Sequence, residues 1–247
     1  DQPQVAFALE LRKQTRDGFV ENALELQTGR SGAATRIRVR PGDSRGLDAT
    51  NFREASAPDA RGLLLPWGPL LERDYAFQGG RFMVVAERAR PAPVARSAPR
   101  AAAARPARGA RAARAARPAA TLVRLPANPQ PSDLVRAFKQ RAGIRGKPAR
   151  RLEADLSGNG LREQVLLFDR TLLLLGPGVR GGRGYLSVGL PVEGVSDVLS
   201  VEARDVSGDR AAELWVTLRQ SLSSPGAAPA VEREVLFIYE LKGDAVQ

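Results

Sequence analysis

The chain has 247 residues, a formal net charge of +11, and neither cysteine nor histidine. Those two absences exclude a disulfide framework, catalytic triads built on histidine or cysteine, and zinc held by imidazole or thiolate. Carboxylates, Ser, Tyr, Lys and Arg are left to carry chemistry, and an apolar content of 43% is enough to bury a core.

In chain order, residues 1–87 predict a β region. "VAFALEL" (5–11) alternates Val5, Phe7, Leu9 and Leu11 on one face, the period of a half-buried strand. "NALELQTG" and "TRIRVRPG" continue the pattern, with Ile37 and Val39 inward. Residues 41–62 are rich in Gly, Asp, Ser and Pro and predict a long loop. "YAFQGGRFMVV" (75–85) predicts a hairpin turning at Gly79-Gly80, where positive φ is required.

Residues 88–131 predict an extended, self-repelling Ala/Arg/Pro linker. Nine arginines and no acidic residue fall between Arg88 and Ala120, which leaves about +2 for the rest of the chain. The high charge therefore belongs to one segment, and the alternative reading of 88–120 is a tail that grips nucleic acid or another anionic surface. It carries no aromatic side chain for stacking bases.

The region 132–247 predicts one short helix, "DLVRAFKQRAG", capped by Ser132, closed by Gly143, with Leu134, Val135 and Phe138 on one face. Strands follow: "EQVLLF", "TLLLLG", "GYLSVGLP", "DVLSVEA", "ELWVTLR" and "EVLFIYELKGDAV". Short strands separated by Gly/Pro/Ser/Asp turns point to a sandwich or a propeller. "GPGVRGGRGY" (176–185) leads into a strand and lacks a P-loop ending, so it reads as a hairpin loop and not a phosphate cradle. Trp67 and Trp215 read as packing residues.

Two loops stand out. "ADLSGNGLREQVLLF" (154–168) and "RDVSGDRAAELWVTL" (204–218) align without a gap, fifty residues apart, each placing Asp, Ser-Gly, Asn or Asp, then Glu ahead of an apolar strand. A fixed period carrying one supersecondary unit is a mark of repeat architecture. As plain turns, Asp155 and Asp205 would accept backbone N–H groups.

These loops resemble those of FG-GAP and VCBS-type repeats, the calcium-binding blades of integrin-like β-propellers. The resemblance covers mainly 150–247. It implies a mainly β fold of propeller blades, complete or partial, with Ca²⁺ ligands from Asp155, Ser157, Asn159, the Leu161 carbonyl and Glu163. In the second loop it implies Asp205, Ser207, Asp209, the Ala211 carbonyl and Glu213. Alternate positions of a tight loop converge oxygens on one point, as hard Ca²⁺ requires. Ser at the third position departs from the family's carboxylate. Arg210 stands where the family has glycine, which makes the first loop the better candidate. By the same alignment Gln4 falls where Glu163 and Glu213 stand, so a matching loop would lie ahead of Asp1.

The function these features imply is a non-enzymatic interaction or scaffold module recognising protein or glycan through its loop face, in an extracytoplasmic bacterial setting. Arg supplies 34 of the 38 basic residues, a GC-rich bacterial bias. No apolar run reaches the roughly 18 residues of a membrane-spanning helix. Asp1 opens no signal peptide, so a removed leader or a chain cut from a longer one is expected. The rival readings are polyanion binding through 88–120 and a hydrolase using two of Glu163, Asp169, Glu193 and Asp197.

Overall fold

The computed structural model describes residues 3–27, 36–47, 70–89, 126–222 and 231–241. The fold is mainly β, with two antiparallel sheets and one α-helix. The helix α1 (Pro131–Ala142) leads into a four-stranded meander of β6 (Arg150–Ala154), β7 (Glu163–Phe168), β8 (Thr171–Leu175) and β9 (Tyr185–Gly189). The eight-stranded sheet has β10 (Val198–Arg204), β11 (Glu213–Leu222) and β12 (Val231–Glu240) at one end. It continues through β1 (Gln4–Thr15), β2 (Gly18–Gln27), β3 (Arg36–Arg45), β4 (Leu70–Gln78) and β5 (Arg81–Ala89).

The two ends of the sequence thus share one sheet. β1 pairs with β12 from Gln4↔Glu240 to Gln14↔Glu232, so the boundary drawn at the linker divides the sequence but not the sheet. The pairing also completes a second four-stranded arrangement, β10-β11-β12-β1, that matches β6-β7-β8-β9 in register. Leu166↔Leu173 in the first corresponds to Val216↔Phe237 in the second. Next along, Leu173↔Ser187 corresponds to Phe237↔Ala8. The register shifts twice along that junction, between Val5 and Phe7 and between Glu10 and Arg12.

The two units stack front to back. Because strand residues alternate faces, β7 sends Leu166 and Phe168 to the core under α1, and Val165 and Leu167 to the core between the units. In β11, the equivalent Val216 lies in the core between the units, and Trp215, matching Val165, lies in a third core under the curled strands β1–β5. The order of layers is therefore α1, first unit, second unit, then β2–β5 folded over the far face. Neither sheet closes into a propeller ring among the described residues.

Several local predictions change. Residues 41–45 extend β3, pairing Asn22↔Pro41 and Val20↔Ser44, because cross-strand pairing outweighs their turn composition. The rest of the expected loop, 48–62, lies outside the described residues, as do Trp67 and 90–125. Arg88 and Ala89 belong to β5, and Pro131 opens α1, so the linker is shorter than its composition indicated. The helix N-cap is Gln130 and not Ser132: Pro131 takes the first helical position, and Asp133 Oδ2 accepts the Gln130 N–H at 3.1 Å. Gly143 closes the helix in the left-handed region at φ 68° as expected. β6 was not visible in its charged sequence, RRLEA.

Candidate metal centre

Both carboxylate loops join antiparallel strands at one register. Ala154↔Glu163 closes the first, between β6 and β7, and Arg204↔Glu213 closes the second, between β10 and β11. In the first, Asp155 accepts from Asn159 N at 3.2 Å and Gly160 N at 2.7 Å. In the second, Asp205 accepts from Gly208 N at 2.7 Å and Arg210 N at 3.1 Å. Asn159 Oδ1 takes the Leu161 N–H at 2.7 Å, and Asp209 Oδ1 takes the Ala211 N–H at 2.8 Å. Each glutamate reaches back, Glu163 to Leu156 N and Glu213 to Val206 N, both at 2.8 Å.

The backbone conformations match as well. Gly158 and Gly208 have φ 69° and 80°, and Gly160 at φ 80° is answered by Arg210 at φ 75°. The positive φ that makes glycine natural there is imposed on an arginine, at a steric cost of about 1 kcal/mol. The two loops also touch: Ala212 N donates to the Asp155 carbonyl at 2.7 Å.

They differ at the glutamates. Glu163 is fully buried, and its Oε1 also accepts from Gly178 N at 2.9 Å and Ser157 Oγ at 3.3 Å. Gly178, in the β8–β9 loop, leaves no spare room: a Cβ there would lie 2.2 Å from Ser157 Oγ and 2.7 Å from Glu163 Oε1. Of the first loop's expected ligands, Ser157 and Glu163 are thus bound up with each other and with Gly178. Asn159 and Asp155 hold the turn, and Leu161 is exposed. These contacts are those of a hydrogen-bonded turn.

In the second loop, Asp205, Asp209 and Glu213 bring carboxylate oxygens within 4.8 Å of one another. Glu213 is buried, and burial pushes its pKa above the ordinary carboxylate value, with Asp209 nearby adding to the rise. The hydrogen bond from Val206 N opposes that rise. A divalent cation would offset the crowding of negative charge. Three carboxylates beside the Ser207 hydroxyl and the Ala211 residue fit a hard cation of oxygen preference, though they fall short of six protein ligands. The loop that bears Arg210 is the one that brings three carboxylates together.

Of the four carboxylates considered for hydrolysis, two share a cavity and two stand apart. Glu163 is enclosed within its loop, and Asp169 sits exposed in the β7–β8 turn. Glu193 and Asp197 line a polar cavity of about 390 Å³ with Arg170, Arg219 and Arg233. Beside it, sequence reasoning missed a buried charged cluster: Lys13 Nζ lies 3.4 Å from Glu10 Oε1, and Arg233 Nη1 lies 4.0 Å from Glu10 Oε2. The run LRKQT gives no hint of it, since it reads as a solvated strand end. Trp215 is buried in the third core, as expected of a packing residue.

No family model, curated protein or solved structure matches the chain. No helix among the described residues is long and apolar enough to cross a membrane.

Proposed function

We propose that the chain is a non-enzymatic interaction module of FG-GAP/VCBS character whose 205–213 loop takes Ca²⁺ weakly. The observation that carries this reading is the convergence of Asp205, Asp209 and Glu213 in a loop whose backbone repeats that of 155–163. Two matched four-stranded units stacked front to back are what adjacent blades of a propeller look like, which supports the family resemblance. The role of the cation is to stiffen a loop that lies against its neighbour through Ala212 and Asp155. Three carboxylates and few further ligands support an affinity at the weak end seen in extracellular modules, about 10⁻⁴–10⁻³ M. That range suits an extracytoplasmic setting.

The test is a thermal melt in millimolar Ca²⁺ and in chelator, with the parent and Asp209→Asn. The reading expects Ca²⁺ to raise the Tm of the parent by a few degrees and to leave Asp209→Asn unmoved. Equal melting temperatures for the parent in both solutions contradict it.

A further inference from the structure

We propose that the groove beside α1 docks an acidic amphipathic helix of a partner protein. In the second unit, the face bearing Val216, Leu218, Phe237 and Tyr239 is covered by a whole neighbouring sheet. Among the described residues, the matching face of the first unit, bearing Leu166, Phe168, Leu173 and Leu175, meets α1, through Leu134 and Phe138, and Ile144 just beyond it. A helix is about 10 Å wide, whereas the outer strands of a four-stranded sheet stand about 14 Å apart. A strip over β6 and β7 is left, and there a groove of about 860 Å³ runs along α1 from Pro131 to beyond Gly143.

Its floor is apolar, made by the half-buried Val135 and Ile144 together with the buried Leu166 and Phe168. Its rim is cationic, made by Arg136, Lys139, Arg145 and Arg151, and none of the described residues that line it is acidic. Residues 131–153 carry seven cationic side chains against Asp133 and Glu153. Those two carboxylates pair with Arg136 at 2.6 Å and Arg151 at 2.7 Å, which leaves Lys139 and Arg145 as the rim cations outside these ion pairs.

Charge selects an anionic occupant, and the floor selects one with apolar side chains. The groove's course along a 12-residue helix selects a partner helix of similar length, about 18 Å. A flat bilayer does not reach a floor recessed beside a helix ridge. Bases would lack a platform, because Phe168, the groove's aromatic residue, is only 2% exposed. The proposal rests on the interaction-module reading only in taking the partner to be a protein, and it does not involve the 205–213 loop.

The experiment uses the full chain at physiological salt and a fluorescein-labelled 14-residue peptide with Leu and Phe at i, i+3, i+4, i+7 spacing and Glu elsewhere. Saturable binding is expected. It should weaken on the order of tenfold in Arg145→Glu/Arg151→Glu, stay unchanged in the linker variant Arg105→Glu/Arg108→Glu, and weaken when the peptide's Glu residues become Gln. A photo-crosslinking peptide checks the site without any variant and should mark residues 135–151 and 164–168. No saturable binding up to about 1 mM overturns the proposal, as does equal loss from the linker variant or crosslinks elsewhere. It is likewise overturned if phosphatidylglycerol vesicles or a 20-mer oligouridylate bind through Arg145 and Arg151 while the peptide fails to compete. Chelator should leave peptide binding unaltered, so a failed cation test and a failed groove test are separate results.

Discussion

Loop 155–163 and loop 205–213 make the same turn onto the same kind of aspartate, yet their glutamates meet different neighbours. In the first, Gly178 of the following hairpin comes close enough to donate to Glu163, and with Ser157 and Leu156 it consumes the carboxylate. In the second, Glu213 faces Asp205 and Asp209, and negative charge accumulates. Similar loop sequences therefore make the same turn, while the element packed against each loop decides which groups its glutamate meets. The two loops form a natural pair of mutually controlling experiments.

The largest expected difference is between Glu163→Ala and Glu213→Ala in chelator. The first strands three donors and should cost about 2–4 kcal/mol, the second strands Val206 N and should cost about 1–2 kcal/mol; chemical denaturation ranks them, and a reversed order breaks the comparison. Next, Gly178→Ala should cost about 1–3 kcal/mol by pushing the β8–β9 loop off Ser157. Smaller still, Arg210→Gly should gain about 1 kcal/mol by relieving the positive φ, and Gly160→Arg should lose a similar amount. Melting temperatures of the two variants should move in opposite directions.

The smallest effect is one of pH. Because the folded-state pKa of Glu213 is raised by burial, the protonated side chain is favoured by folding, and this contribution is lost as pH rises from the ordinary value of 4.5 through the folded value. In chelator, Glu213→Gln should therefore gain on the parent as pH rises above 4.5, whereas a constant difference between them would refute the burial argument.

Much of the architecture was legible where patterning and turn chemistry agree. Gly79 and Gly80 supply positive φ at 60° and 82°, and Gly143 ends α1 in the left-handed region. The matched Asp-Ser-Gly-Glu spacing gave the shared turn. What was hidden depends on distant partners. Nothing in VAFALEL says that it pairs with β12, since an alternating strand specifies a face and not a neighbour. The occupation of Glu163 by Gly178 was hidden for the same reason, because that contact joins residues 15 apart across another strand. β6 escaped notice because Arg150 and Arg151 read as solvent-facing, although Arg150 clamps the Val198 and Leu199 carbonyls at 3.0 and 2.9 Å. The buried Glu10, Lys13 and Arg233 are 2%, 2% and 3% exposed, against the usual expectation for charged residues.

The most direct test of the paired-loop account is a residue-resolved NMR titration of backbone amides with Ca²⁺. The account predicts progressive shifts at residues 205–213, saturating in the range of about 10⁻⁴–10⁻³ M, with 155–163 moving only where Asp155 touches Ala212. Equal shifts in both loops, or none in 205–213 at several times that concentration, would contradict it.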